Sequence, residues 1–173
     1  MAKLEIEHYW RWAHSDLLSN SERGLVAEYL VGKATESLGN NRLEWDAWDL
    51  TTKNGIRIEV KASGYVQTWS QKRPSVIRFK IDESGGWDAS SDTYYAEVTR
   101  RADVYVFCIH AERDKEKANS LDTDQWEFIV LPTSKLNQEL GSQKTVGLAT
   151  LKKIGGRTVG YEELQAALHG AAT

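Results

Sequence analysis

The stretch Trp45-Asp46-Ala47-Trp48-Asp49-Leu50-Thr51-Thr52-Lys53-Asn54-Gly55-Ile56-Arg57-Ile58-Glu59-Val60-Lys61 decides how this chain is read. Just before it, at Gly39-Asn40-Asn41, the apolar spacing changes from helical to alternating. The alternation predicts two strands, residues 43–52 and 56–63, joined by Lys53-Asn54-Gly55. Side chains alternate across a strand, so Ile56, Ile58 and Val60 share one face while Arg57, Glu59 and Lys61 share the other. The place of Asp49 depends on the turn. A two-residue Asn54-Gly55 loop sets Asp49 against Val60, facing away from Glu59. A three-residue loop with Gly55 in the left-handed conformation pairs Thr52 with Ile56 and sets Asp49 directly opposite Glu59. Both loops are common, and the three-residue loop is the favoured reading.

Upstream, Ser19-Asn20-Ser21-Glu22 has the spacing of a capping box and opens a helix through Glu36, apolar at Leu25, Val26, Tyr29, Leu30 and Ala34. Glu28 lies on the flank of that stripe, where a carboxylate is less comfortable than on an open polar face. Residues 8–16, with Tyr9, Trp10 and Trp12, suit a short helix with an aromatic side. Downstream the pattern predicts a third strand over 75–81, a loop over 84–92 and a helix over 93–101. Residues 104–109 form a near-continuous apolar run of the kind found in a strand covered on both faces. A charged excursion over 110–124 follows, then a strand over 126–131 and a helix from Pro132-Thr133-Ser134 to Leu140. The remainder reads as a weak strand over 145–151, a turn at Gly155-Gly156 and a helix over 161–169. This order predicts an α/β (α+β) domain with a central mixed β-sheet flanked by helices.

At 173 residues and 19.6 kDa, one domain spanning 1–173 is expected, its motif-bearing core at about 19–131. Charged residues at 27%, apolar residues at 40% and a mean hydropathy of -0.53 exclude a disordered, collagen-like or membrane chain. The opening residues alternate charge with apolar side chains, unlike a secretory signal, and a cytoplasmic location is expected. The single cysteine, Cys108, excludes an internal disulfide and reads as strand filler beside Val106, Phe107 and Ile109. His8, His14, His110 and His169 lack metal-ligand spacing and read as surface or capping residues. Of the seven tryptophans, most are expected in the core or at an interface, with Trp45 and Trp48 backing the site. The net charge of -3 conceals an asymmetry: between Lys53 and Lys80 seven cations face one acid, a local +6 that leaves -9 elsewhere. Such a block suits either a solvated sheet face or a site for a polyanion.

Two carboxylates opposed on one face repel each other unless a cation stands between them, and oxygen-only ligation suits Mg2+ or Mn2+. Lys61, on the same face, could hold or deprotonate a water, or stabilise charge on a phosphoryl oxygen. These parts add up to metal-assisted phosphodiester hydrolysis. Glu-x-Lys alone is a common solvated pattern; its setting gives it weight. No Gly-x-Ser-x-Gly elbow or P-loop offers another chemistry.

The combination of Glu28 on a helix, Asp49 at the end of a strand, a glycine-containing turn and Glu59-Val60-Lys61 in an apolar strand resembles the PD-(D/E)xK, or restriction-endonuclease-like, nuclease superfamily. Trp48 stands where that pattern has proline. The helix over 21–28 looks like that of small phage or mobile-element nucleases of this type. The resemblance covers residues 19–81 best. It implies a mixed sheet flanked by helices, Asp49 and Glu59 as ligands of Mg2+ (or Mn2+), Lys61 as the catalytic lysine and Glu28 as an accessory acid. DNA is the implied partner, with no membrane involved and a homodimer or partner protein left open. Arg57, Lys72, Arg73, Arg78 and Lys80 are expected to meet phosphates, Gln67 or Gln71 to orient the site, and Tyr65 or Trp69 to stack on bases. The competing readings are a catalytically silent module of the same fold that binds nucleic acid or a protein, and a hydrolase of small phosphoesters with a closed pocket.

Overall fold

The computed structural model describes residues 3–39, 42, 46–88 and 91–172. The helices are α1 (Ile6–Ala13), α2 (Asn20–Ala34), α3 (Thr133–Leu140), α4 (Leu148–Lys153) and α5 (Leu164–Ala172). The strands are β1 (Leu50–Thr51), β2 (Arg57–Gly64), β3 (Arg78–Lys80), β4 (Trp87–Asp88), β5 (Thr93–Tyr94), β6 (Val104–His110), β7 (Trp126–Pro132), β8 (Thr145–Gly147) and β9 (Thr158–Val159).

The main sheet has the order β1-β2-β6-β7-β9, with β2 and β6 parallel and the other neighbours antiparallel. It is the α+β arrangement with a central mixed sheet that the sequence predicts. Strand β6 is buried at every position, as a strand covered on both faces must be. On one face Ile58, Val60, Val106, Cys108 and Phe128 pack against Val26, Leu30 and Val31 of α2 and Leu164 and Leu168 of α5. On the other, Tyr105, Phe107, Ile109, Ile129 and Leu131 pack with Ile77, Phe79 and Ile81 and with Leu136, Leu140 and Leu151 of α3 and α4. Cys108 is fully buried, and burial pushes its thiol well above the usual range.

Helix α2 starts where its cap dictates: the Ser19 hydroxyl accepts from the Glu22 N–H at 3.3 Å. The reciprocal half of the capping box does not form, because the Glu22 carboxylate turns to His14 at 3.0 Å instead. Leu50 pairs with Ile58 and Thr51 with Arg57, so Lys53-Asn54-Gly55 is a three-residue loop, with Gly55 at φ +84°. Thr52 N–H donates to the Ile56 carbonyl and closes the hairpin at 2.9 Å.

Several expectations are corrected. Residues 93–101 are not helical: Thr93–Tyr94 pairs with Trp87–Asp88, as suits a stretch rich in Thr, Tyr and Val. The described part of the first strand is only Leu50–Thr51, residues 46–49 being bends; 43–45, including Trp45, lie outside the described residues. The third strand spans only Arg78–Lys80 and pairs with β8 in a separate two-stranded sheet, while 148–153 is helix α4 rather than more strand. His110 is wholly buried against the Trp126 ring, and burial holds its pKa below the usual value. Among the described tryptophans, Trp126 is buried while Trp10, Trp12 and Trp69 are exposed.

Candidate active site

The register of the β1–β2 hairpin sets Asp49 across from Glu59, one step beyond the Leu50–Ile58 pair. The Asp49 N–H donates to the Ile58 carbonyl at 3.0 Å, and its Oδ2 accepts from the Val60 N–H at 2.7 Å. The carboxylate thus serves as a ladder acceptor where β1 ends, leaving its other oxygen available. Glu59 and Lys61 alternate with the buried Ile58 and Val60 and face the side of Tyr105 and Phe107, their register partners on β6. Lys61 Nζ donates to Glu59 Oε1 at 2.5 Å. Glu28 approaches from α2 on the opposite layer, only 8% exposed, and accepts from Arg42 Nε at 2.8 Å. Glu28, Arg42, Trp48 and Asp49 line a cavity of about 330 Å3.

The electrostatics are those of acids held together against their own repulsion. Burial raises the Glu28 pKa, with hydrogen bonding from Arg42 opposing and the charge of Asp49 adding. Burial likewise raises Asp49, against the Val60 N–H and the charge of Lys61. Glu59 is raised by burial and by Asp49 and Glu28, against Lys61. Burial alone would depress Lys61, but Glu59, Asp49 and Asp82 outweigh it, so its ammonium is held above the ordinary lysine value. All three acids offer hard oxygen donors of the kind Mg2+ and Mn2+ prefer. Each is engaged by a protein donor, and among the described residues no three His, Cys, Asp or Glu side chains are grouped closely enough to hold a metal ion.

The other residues singled out from sequence are dispersed. Arg57, on the Glu59–Lys61 face, is bound at its guanidinium by Asp103 at 2.5 and 3.0 Å and lies over Trp48. Lys80 pairs with Asp82 at 3.3 Å, whereas Lys72, Arg73 and Arg78 are exposed and make no ion pair among the described residues. Gln67 and Gln71 brace the loop between β2 and β3: Gln67 Nε2 donates to the Gly64 carbonyl at 3.0 Å, and Gln71 Oε1 accepts from the Gln67 N–H at 2.7 Å.

Four participants escaped the sequence reading: Arg42, Asp82, Asp103 and Arg23. The first three reach the motif from outside it, and no spacing rule connects them to it. Arg23 is 1% exposed beneath the β2–β3 loop and donates to the Leu18 and Val66 carbonyls at 2.6 Å each. A Cβ on Gly64 would stand 2.8 Å from Arg23 Nε, so the strand end must be glycine for the guanidinium to pass beneath it.

Among the described residues no helix is long and apolar enough to cross a membrane. No curated protein matches the chain. Residues 5–138, which include every element of the candidate site from Glu28 to Asp103, match the family of bacteriophage T4 endonuclease IV. That match covers most of the sequence, and the chain belongs to the bacteriophage T4 endonuclease IV family.

Proposed function

We propose that this protein is an endonuclease that hydrolyses phosphodiester bonds of DNA by metal-assisted chemistry of the PD-(D/E)xK type. The observation that carries the reading is the hairpin register: it sets Asp49 opposite Glu59 and puts both beside Lys61, within a segment matched by an endonuclease family.

Asp49 and Glu59 would hold Mg2+ or Mn2+, with Glu28 as the accessory acid at the end of the cavity. Bound there, the ion supplies Lewis-acid polarisation of the phosphoryl oxygens and lowers the cost of ionising water. The Val60 N–H holds one Asp49 oxygen, which fixes the carboxylate at the end of the hairpin. Lys61 would orient the attacking water and stabilise the negative charge that builds on the phosphoryl oxygens. Water adds to phosphorus and releases a proton to solvent, the bond from phosphorus to the leaving sugar oxygen breaks, and that oxygen takes up a proton from solvent.

The ion pairs Glu28–Arg42 and Glu59–Lys61 favour a second reading, a silent module of the same fold that binds without cutting. One assay separates them. Purified protein is incubated with supercoiled plasmid, linear duplex, single-stranded DNA and RNA in Mg2+, Mn2+ or EDTA, beside Glu59→Gln. Metal-dependent cutting of DNA that the variant loses supports the nuclease. A folded protein that binds DNA and cuts nothing supports the silent module.

A further inference from the structure

Beyond the site, the segment joining β2 to β3 builds a second feature that the chemistry above does not use. Tyr65, Trp69, Lys72, Arg73, Arg113 and Lys115 line a cavity of about 210 Å3, with no carboxylate among its described lining residues. A neighbouring cavity of about 480 Å3 shares Tyr65, Arg73 and Arg113, so the two form one trough that continues to Gly147, the register partner of Arg78. Two of the four cations are held in place. The Arg113 guanidinium lies 3.8 Å from the centre of the Tyr65 ring, and Lys115 Nζ donates to the Thr68 carbonyl at 2.5 Å. Neither they nor Lys72 and Arg73 make an ion pair among the described residues, so their charge is available to a ligand. The Trp69 indole, 57% exposed, stands beside them in the same cavity lining. Beneath the loop, Arg23, Gln67, Gln71 and Ser75 interlock through buried hydrogen bonds, which makes the floor rigid.

We infer that this trough is an anchoring subsite for DNA, in which the four cations hold phosphates and the Trp69 indole takes the face of a base. The inference rests on the nuclease reading and adds to it a place for substrate away from the reacting phosphate. Tyr65 continues the alternation of Glu59, Lys61 and Ser63, so the trough lies on the catalytic face four residues beyond Lys61. At ~3.3 Å per residue that is about 13 Å, or about four nucleotide steps at ~3.4 Å each along a duplex strand. From there Val76, Arg78 and Lys80, all exposed, alternate with the buried Ile77, Phe79 and Ile81 and lead back to Asp82, which neighbours Lys61. An exposed aromatic among cations, two of them pinned, is the composition that binds nucleotides by stacking and phosphate neutralisation together.

The test is fluorescence anisotropy of a labelled 20-mer DNA, duplex and single-stranded, with the full chain in EDTA, so that binding is read without cleavage. Variants are Trp69→Ala, Trp69→Phe, the pair Arg113→Ala with Lys115→Ala, and a remote charge control, Lys153→Ala with Arg157→Ala. The expected result is about a tenfold rise in Kd for Trp69→Ala, mostly restored in Trp69→Phe. The Arg113/Lys115 pair should lower the slope of log K against log salt by about 2, as the loss of two phosphate contacts demands, while the control pair leaves the slope unchanged. Tight wild-type binding with Kd and slope unaltered in the trough variants overturns the subsite and leaves the nuclease reading standing. Binding lost in the trough variants of a protein that cuts nothing in Mg2+ or Mn2+ upholds the subsite and removes the nuclease reading. Absence of DNA binding by the wild type overturns both.

Discussion

Arg23→Ala should be among the most damaging substitutions in the chain, although it touches no reacting group. Its guanidinium is 1% exposed and donates to four acceptors: the carbonyls of Leu18 and Val66 at 2.6 Å, Asn20 Oδ1 at 2.9 Å and Gln67 Oε1 at 3.2 Å. Truncation leaves the buried Val66 carbonyl and Gln67 Oε1 without this donor and opens a void beneath Gly64. Each orphaned buried acceptor costs ~1–3 kcal/mol. Against this, the variant no longer has to bury a cation, a burden visible in the downward pressure of burial on the Arg23 pKa. The net loss should be about 2–4 kcal/mol, the cost of two orphaned buried acceptors less the relief of the buried cation. Urea unfolding of wild type, Arg23→Ala and Arg23→Lys measures it, with Arg23→Lys losing less because it keeps the charge and part of the donor set. DNA affinity should fall along with stability, since the same guanidinium braces the loop that carries Trp69. A loss below ~0.5 kcal/mol, the range of an ordinary surface change, would refute the reasoning.

Three further outcomes follow from the same geometry. Asp49→Asn keeps an oxygen for the Val60 N–H yet removes a buried charge that Glu28 and Glu59 oppose; its Tm in EDTA should rise by ~2–4 °C, the equivalent of ~1 kcal/mol, and an unchanged or lower Tm would contradict the picture of mutually repelling acids. His110 is held below its ordinary pKa by burial, so between that lowered value and about 6.5 the unfolded chain binds more protons and stability rises with pH; the contribution is complete above about 6.5 and lost as pH falls through the folded value. His110→Phe should therefore flatten the decline in urea midpoint between pH 7 and pH 5, and a slope equal to wild type would count against it. Gly55→Ala meets nothing within 4 Å but must adopt φ +84°, so a loss of ~1–2 kcal/mol in urea unfolding is expected, from backbone strain alone; no loss would show that the turn relaxes.

Features governed by local rules were legible in the sequence. The Ser19 cap fixed the start of α2, continuous apolarity marked β6, and the left-handed Gly55 supported the three-residue loop that brings Asp49 across from Glu59. What stayed hidden depends on partners distant in sequence. The cation block of 53–80 suited either a solvated face or a polyanion site, and in the fold Arg57 is bound by Asp103, Lys53 by Glu36, Lys61 by Glu59 and Lys80 by Asp82. Lys72, Arg73 and Arg78 remain, and the first two join Arg113 and Lys115 from the charged excursion after β6. His110 gave no sign of burial because the charged excursion after it suggested a surface, whereas it is the last residue of the most buried strand. Residues 93–101 read as a helix, but the short β4–β5 pairing at Thr93–Tyr94 and the isolated bridge between Ser84 and Thr99 take up their backbone instead.

The central claim is that Lys61 acts on the reacting phosphate rather than on folding or on DNA affinity. Its most direct test is the single-turnover cleavage rate of wild type and Lys61→Ala with saturating DNA in Mg2+, alongside anisotropy and thermal unfolding of both proteins. The account predicts a rate lowered by ~100–1,000-fold, the cost of removing one group that stabilises transition-state charge, with DNA affinity within a few-fold of wild type and the fold intact. A Lys61→Ala protein that cuts DNA at the wild-type rate would contradict it.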